Sequence, residues 1–105
     1  MPSSKTAARR HRMPAPAPWV VYILRCRDGS LYTGITTDLA KRLRAHTAGK
    51  ASRYTRSRLP VRLVYAEPQA TKSLALKREA AIKALSRPQK LRLVAGPAAV
   101  AANAR

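Results

Sequence analysis

The chain has 105 residues, enough for one small domain, and carries 22 basic against 4 acidic side chains, a formal net charge of +18. A surface that basic attracts polyanions by releasing their counterions, so nucleic acid is the expected partner. No stretch approaches the roughly 20 apolar residues of a spanning helix, which argues against a membrane, and the lone cysteine, Cys26, excludes an intramolecular disulfide and suits a cytoplasmic setting.

Residues 1–18 read as a disordered arm. Arg9, Arg10 and Arg12 precede alternating prolines at Pro14, Pro16 and Pro18, which favour an extended chain over helix or ladder. A β-hairpin is expected from Trp19 to Ile35. Val20 to Leu24 is a β-branched and aromatic run, Asp28-Gly29 is a tight-turn dipeptide, and Leu31, Tyr32, Thr33 and Ile35 make the second strand. Tyr22 and Tyr32 lie on either side of the turn and are expected to face each other across the pair. The plain alternative is two packing residues with wet hydroxyls. Gly34 interrupts the second strand, where glycine often marks close approach of another backbone or a ligand.

A helix is expected from Asp38 to Ala48, capped by the oxygens of Thr36, Thr37 and Asp38 and ended by Gly49. Leu39 and Leu43 form its buried stripe, and Arg42 and His46, also four apart, share the adjacent face. A solvated charge and a structural histidine are the bland readings of that pair. Residues 50–60 form a basic loop or short helix. Its Arg53, Tyr54, Arg56 and Arg58 suit a nucleic-acid surface, with guanidinium forks and the interleaved hydroxyls of Ser52, Thr55 and Ser57 for phosphates and a ring for a base; a merely solvated loop is the competing reading. A third strand, Val61 to Glu67, is expected to close at Pro68, since proline cannot continue a central ladder. A long helix from about Thr71 to Leu85 buries Ala75, Ile82 and Leu85, with Leu74 beside them. Ser86-Arg87-Pro88 breaks it and starts another helix, which Gly96-Pro97 stops. Residues 97–105 read as a disordered Ala-rich tail. The order ββαβαα gives an α+β fold, a small three-stranded, largely antiparallel sheet flanked by helices.

These residues in this order resemble the GIY-YIG nuclease superfamily, and its small single-domain bacterial members in particular. Val20-Val21-Tyr22 stands for the first half-motif, Gly-Ile-Tyr, and Tyr32-Thr33-Gly34 for the second, Tyr-Ile-Gly. Arg42 and His46 stand where the family has its Arg and a His or Tyr, and Glu79 matches its metal ligand. The likeness spans roughly residues 19–95. Val20 for Gly and Thr33 for Ile remove no chemical group. The resemblance implies an endonuclease that hydrolyses phosphodiester bonds in DNA, with DNA repair as its setting. It implies one Mg²⁺ or Mn²⁺ on Glu79, Arg42 on the scissile phosphate, a tyrosine that activates water, and His46 assisting proton transfer. It leaves open whether that tyrosine is Tyr22 or Tyr32.

The residues set their own limits on this chemistry. Of the four acids, Asp28 lies in a turn, Asp38 caps a helix and Glu67 ends a strand, which leaves Glu79 as the one carboxylate inside a helix. A two-metal carboxylate cluster is therefore out of reach. A zinc site is equally poor with one Cys and two His. Free tyrosine titrates near 10 and needs nearby positive charge to act as a base. The sequence shows no second domain to choose a target. Selection by branched or single-stranded structure, or by a protein partner, is expected, with the chain itself a monomer. Two alternatives stand beside the nuclease: a non-catalytic nucleic-acid-binding module on the same scaffold, for DNA, RNA or the ribosome, and a basic accessory protein whose loop binds another protein. Intact Tyr22, Tyr32, Arg42 and Glu79 favour the nuclease, since binding alone needs no isolated carboxylate in a basic surface.

Overall fold

The computed structural model describes residues 18–96, so the expected arm, up to Ala17, and the expected tail, from Pro97, lie outside the described residues. Three strands, β1 (Trp19–Arg25), β2 (Leu31–Thr36) and β3 (Arg62–Gln69), form an antiparallel sheet in the order β2-β1-β3. Helices α1 (Leu39–Thr47) and α2 (Arg53–Arg56) lie between β2 and β3, and α3 (Lys72–Lys83) and α4 (Arg87–Val94) follow. The α+β architecture is as the sequence implies, with one helical turn formed inside the basic loop.

Local chemistry sets the boundaries. Asp28 Oδ1 accepts from the Ser30 amide at 3.0 Å and hydroxyl at 2.6 Å, and Gly29 takes φ +87°, which closes the hairpin. Side-chain oxygens of Asp38, Ser52, Thr71 and Ser86 accept from the first free amides of the four helices, and Gln89 completes a capping box on α4. The expected stop at Pro68 does not occur. β3 runs through Pro68 to Gln69 because it is an edge strand, so a missing N–H there costs no ladder bond to a further strand.

Successive residues of β1 point to opposite sides of the sheet. Val21 and Ile23 join Val64, Tyr65, Ala75, Ile82 and Val94 in the apolar core, bordered by Trp19, Leu31, Ile35 and Leu93. Tyr22 and Leu24 are equally buried, on the opposite face. On α1 the expected stripe is corrected: Leu39 and Leu43 are half-buried, and the helix's fully buried residue is His46. On α3 Ala75 and Ile82 are buried but Leu74, expected beside them, is exposed. Glu67 is held by the Tyr65 hydroxyl at 2.5 Å, by Gln69 and by Arg78 Nε at 3.0 Å, which ties the edge of β3 to α3.

Candidate active site

On the face opposite the core, a run of polar side chains crosses from β1 to α2. Tyr22 Oη lies 2.8 Å from His46 Nε2, His46 Nδ1 lies 2.9 Å from Thr55 Oγ1, and Thr55 Oγ1 lies 3.0 Å from Ser52 Oγ. Tyr22, His46 and Thr55 are all 0% exposed. Buried polar atoms are costly unless paired, and here each one hands on to the next.

The hairpin register explains how the tyrosines meet. Tyr22 pairs with Gly34 and Leu24 with Tyr32, so the two tyrosines are diagonal neighbours and not directly opposed, with ring centroids 6.5 Å apart. A Cβ at position 34 would fall 2.6 Å from Tyr22 Oη. The Tyr22 phenol thus fills the space that the missing Cβ of Gly34 leaves open. Tyr32 sets its edge against His46 at 5.3 Å and remains half-buried.

Burial raises the Tyr22 pKa, the neighbouring Arg42 guanidinium works against that rise, and the charges of Tyr32 and Glu79 add to it. Burial, then Arg42, lowers the His46 pKa. The pair therefore rests as a phenol and a neutral imidazole. Arg42 Nε is buried and has no hydrogen-bond partner. Arg42 also lines a pocket of about 410 Å³ with Thr36, Thr37, Asp38, Lys41 and Ala45. A desolvated guanidinium N–H without an acceptor favours an anion that enters that pocket.

Glu79 reaches the site from α3: its charge is felt at Tyr22, its side chain is 19% exposed, and its ion-pair partner is Lys83 at 3.3 Å. Among the described residues no three His, Cys, Asp or Glu side chains gather to hold a metal. One carboxylate suits Mg²⁺ or Mn²⁺, which keep several waters and take phosphate oxygens as ligands, and does not suit zinc.

The basic loop divides. Arg58 turns inward: its Nε donates to Asp28 Oδ2 at 3.0 Å, Nη1 donates to the Tyr54 carbonyl at 2.9 Å, and the guanidinium sits 3.8 Å from the Tyr54 ring centroid. Tyr54 lies nearly parallel to Tyr32, 6.0 Å away. Arg58 thus clamps the loop to the hairpin turn and covers a face of Tyr54, two groups that the sequence assigned to nucleic acid. Arg53 and Arg56 stay exposed and line a second pocket, of about 230 Å³, with Gly49, Lys50, Ala51 and Ser52. Sequence reasoning gave the Ser52 and Thr55 hydroxyls to phosphates and missed their link to His46, because residues six and nine positions away in sequence announce no contact with it.

The family model of the GIY-YIG catalytic domain matches residues 18–92. The chain belongs to the GIY-YIG family. It is 53% identical over 70 residues to a UPF0213 protein of Streptococcus pneumoniae serotype 4, covering 67% of this chain and 71% of the relative. With UPF0213 protein DP2720 of Desulfotalea psychrophila it shares 56% over 77 residues, 72% of this chain and 70% of the relative. The solution NMR structure of UPF0213 protein BH0048 from Bacillus halodurans superposes with a TM-score of 0.52 at 45% identity, covering 76% of this chain and 85% of that one. No described helix of this GIY-YIG protein is long and apolar enough to cross a membrane.

Proposed function

We propose that this GIY-YIG domain is a divalent-metal-dependent endonuclease that hydrolyses phosphodiester bonds, in DNA ahead of RNA, at branched or single-stranded structures. One observation carries the reading: Tyr22, Tyr32, Arg42 and His46 meet on the non-core face of the sheet with the Glu79 charge in range of Tyr22. Binding alone has no use for a buried phenol–imidazole pair beside a guanidinium whose buried Nε lacks an acceptor and a carboxylate whose charge reaches the phenol.

In this reading Arg42 moves onto the scissile phosphate, gives its N–H groups, the unpartnered Nε among them, to the non-bridging oxygens and stabilises the charge that develops there. Its departure uncovers the Tyr22 hydroxyl. Tyr22 is the base, because its oxygen is the one held between His46 and Arg42: it takes the water proton as its own hydroxyl proton passes to His46 Nε2. Tyr32, nearer to solvent, orients the attacking water. His46 keeps the Tyr22 phenol in place and takes part in its proton transfer. Glu79 would hold the one divalent ion, which when bound supplies Lewis-acid stabilisation of the phosphate. Target choice falls to the exposed cations of the basic loop or to a protein partner.

A non-catalytic nucleic-acid-binding module is the second reading. The Lys83–Glu79 ion pair favours it, since it gives the carboxylate a partner without a metal. Labelled branched, single-stranded and duplex DNA and RNA, each incubated with Mg²⁺, Mn²⁺ or EDTA, separate the two. Cleavage that needs the metal is expected, strongest on branched or single-stranded DNA. Binding without cleavage on every substrate would leave the binding module.

A further inference from the structure

His46 is buried and neutral, so it has one ring N–H to divide between two contacts. The hydrogen-bonded run can therefore point in two directions. In one, Ser52 donates to Thr55, Thr55 to Nδ1, and Nε2–H to the Tyr22 oxygen. In the other, the Tyr22 hydroxyl donates to Nε2, Nδ1–H to Thr55, and Thr55 to Ser52. Both directions hold the same charge, and a group at the far end can select between them.

That far end opens on the 230 Å³ pocket, where Ser52 lines the wall with Lys50, Arg53 and Arg56 and no acidic side chain. We propose that this pocket is a subsite for a second backbone phosphate of the nucleic acid, and that the Ser52–Thr55–His46 run passes its occupancy to Tyr22 by fixing which nitrogen of His46 carries the proton. The inference rests on the nuclease reading. A phosphate offers acceptors only, so the Ser52 hydroxyl donates to it. The Ser52 oxygen is then left to accept, from the Thr55 hydroxyl at 3.0 Å and the Thr55 amide at 3.1 Å. Thr55 Oγ1 in turn accepts from Nδ1–H, and the bare Nε2 takes the Tyr22 hydroxyl proton. The Tyr22 lone pairs are thereby turned away from His46, toward Arg42 and the scissile phosphate, where a water proton must be received. Thr55 and Ser52 are positioning residues, acting through His46.

The test reads the ring nitrogens of His46 by NMR on full-length protein labelled with ¹⁵N-histidine, in EDTA, without and with a saturating eight-residue oligothymidylate. The bound wild-type protein is expected to carry the proton on Nδ1. Ser52→Ala is expected to abolish the change between free and bound states. Lys50→Gln and Arg56→Gln are each expected to weaken binding by about 3–10-fold, while Arg92→Gln on α4 leaves it within about twofold. A proton on Nε2 in the bound state, or the same free-to-bound change in Ser52→Ala, would overturn the proposal. In cleavage assays Thr55→Val is expected to lower kcat by about 10–100-fold at unchanged KM, with Thr55→Ser recovering most of that loss. Equal losses in the two variants would contradict the positioning role. If the wild-type protein cleaves nothing, the nuclease reading falls while the ring-nitrogen experiment still decides the subsite.

Discussion

The two faces of the sheet are built from the same strands and bury their central residues equally well, yet they are closed by different forces. Val21 and Ile23 meet Ala75, Ile82 and Val94, where close packing is non-directional and each side chain tolerates small shifts. Tyr22 meets His46, and His46 meets Thr55, through bonds of 2.8 and 2.9 Å that depend on angle and on the position of single protons. The difference teaches that burial alone does not mark a core residue. One face sets whether the chain folds, and the other sets where a proton sits.

Substitutions should separate the faces. The largest effect is expected for Ile82→Ala, on the core side, which should cost about 2–5 kcal/mol in urea melts and leave cleavage per folded molecule unchanged. On the polar side, Arg42→Gln should lower kcat/KM by about 10²–10³-fold in the cleavage assay with little change in melting temperature. Gly34→Ala should break the separation. Its Cβ would meet the Tyr22 phenol, so a loss of about 1–3 kcal/mol in urea melts should accompany a displaced Tyr22–His46 bond and reduced cleavage.

A smaller effect concerns pH. His46 is held neutral when folded, its pKa lowered from 6.5 by burial and by Arg42. The unfolded chain takes up that proton first as the pH falls. The stability that neutral His46 allows is therefore full above about pH 6.5 and declines below it, down to the folded pKa. Urea melts from pH 8 to 5 should show this decline in wild type and in Ile82→Ala alike, and His46→Asn should lose it. The smallest effect is expected at the hairpin turn, where Asp28→Asn loosens the exposed Arg58 clamp and should move the urea midpoint least of these variants.

The core face was legible because β-branched runs and the spacing of Ala75 and Ile82 announce it directly. Tyr22, Tyr32, Arg42, His46 and Glu79 were legible through the family's motifs, and Glu79 also through the scarcity of acids. Other features needed coordinates. The depth of His46 is hidden beside two leucines that look better suited to burial. Pro68 gives no sign of whether its strand is central or an edge. Arg58 resembles Arg53 and Arg56 until Asp28 and Tyr54 are seen to claim it. Ser52 and Thr55 carry hydroxyls that read as phosphate donors on an open loop, and only the ring position of His46 shows what they hold.

The most direct measurement pairs cleavage with melting for Glu79→Gln. This change keeps the shape of the side chain and removes the charge that would hold a metal. The account predicts cleavage by the wild-type protein in Mg²⁺ or Mn²⁺ and none in EDTA, with Glu79→Gln inactive yet melting within a few degrees of wild type. Cleavage that persists in Glu79→Gln, or in EDTA, would contradict it.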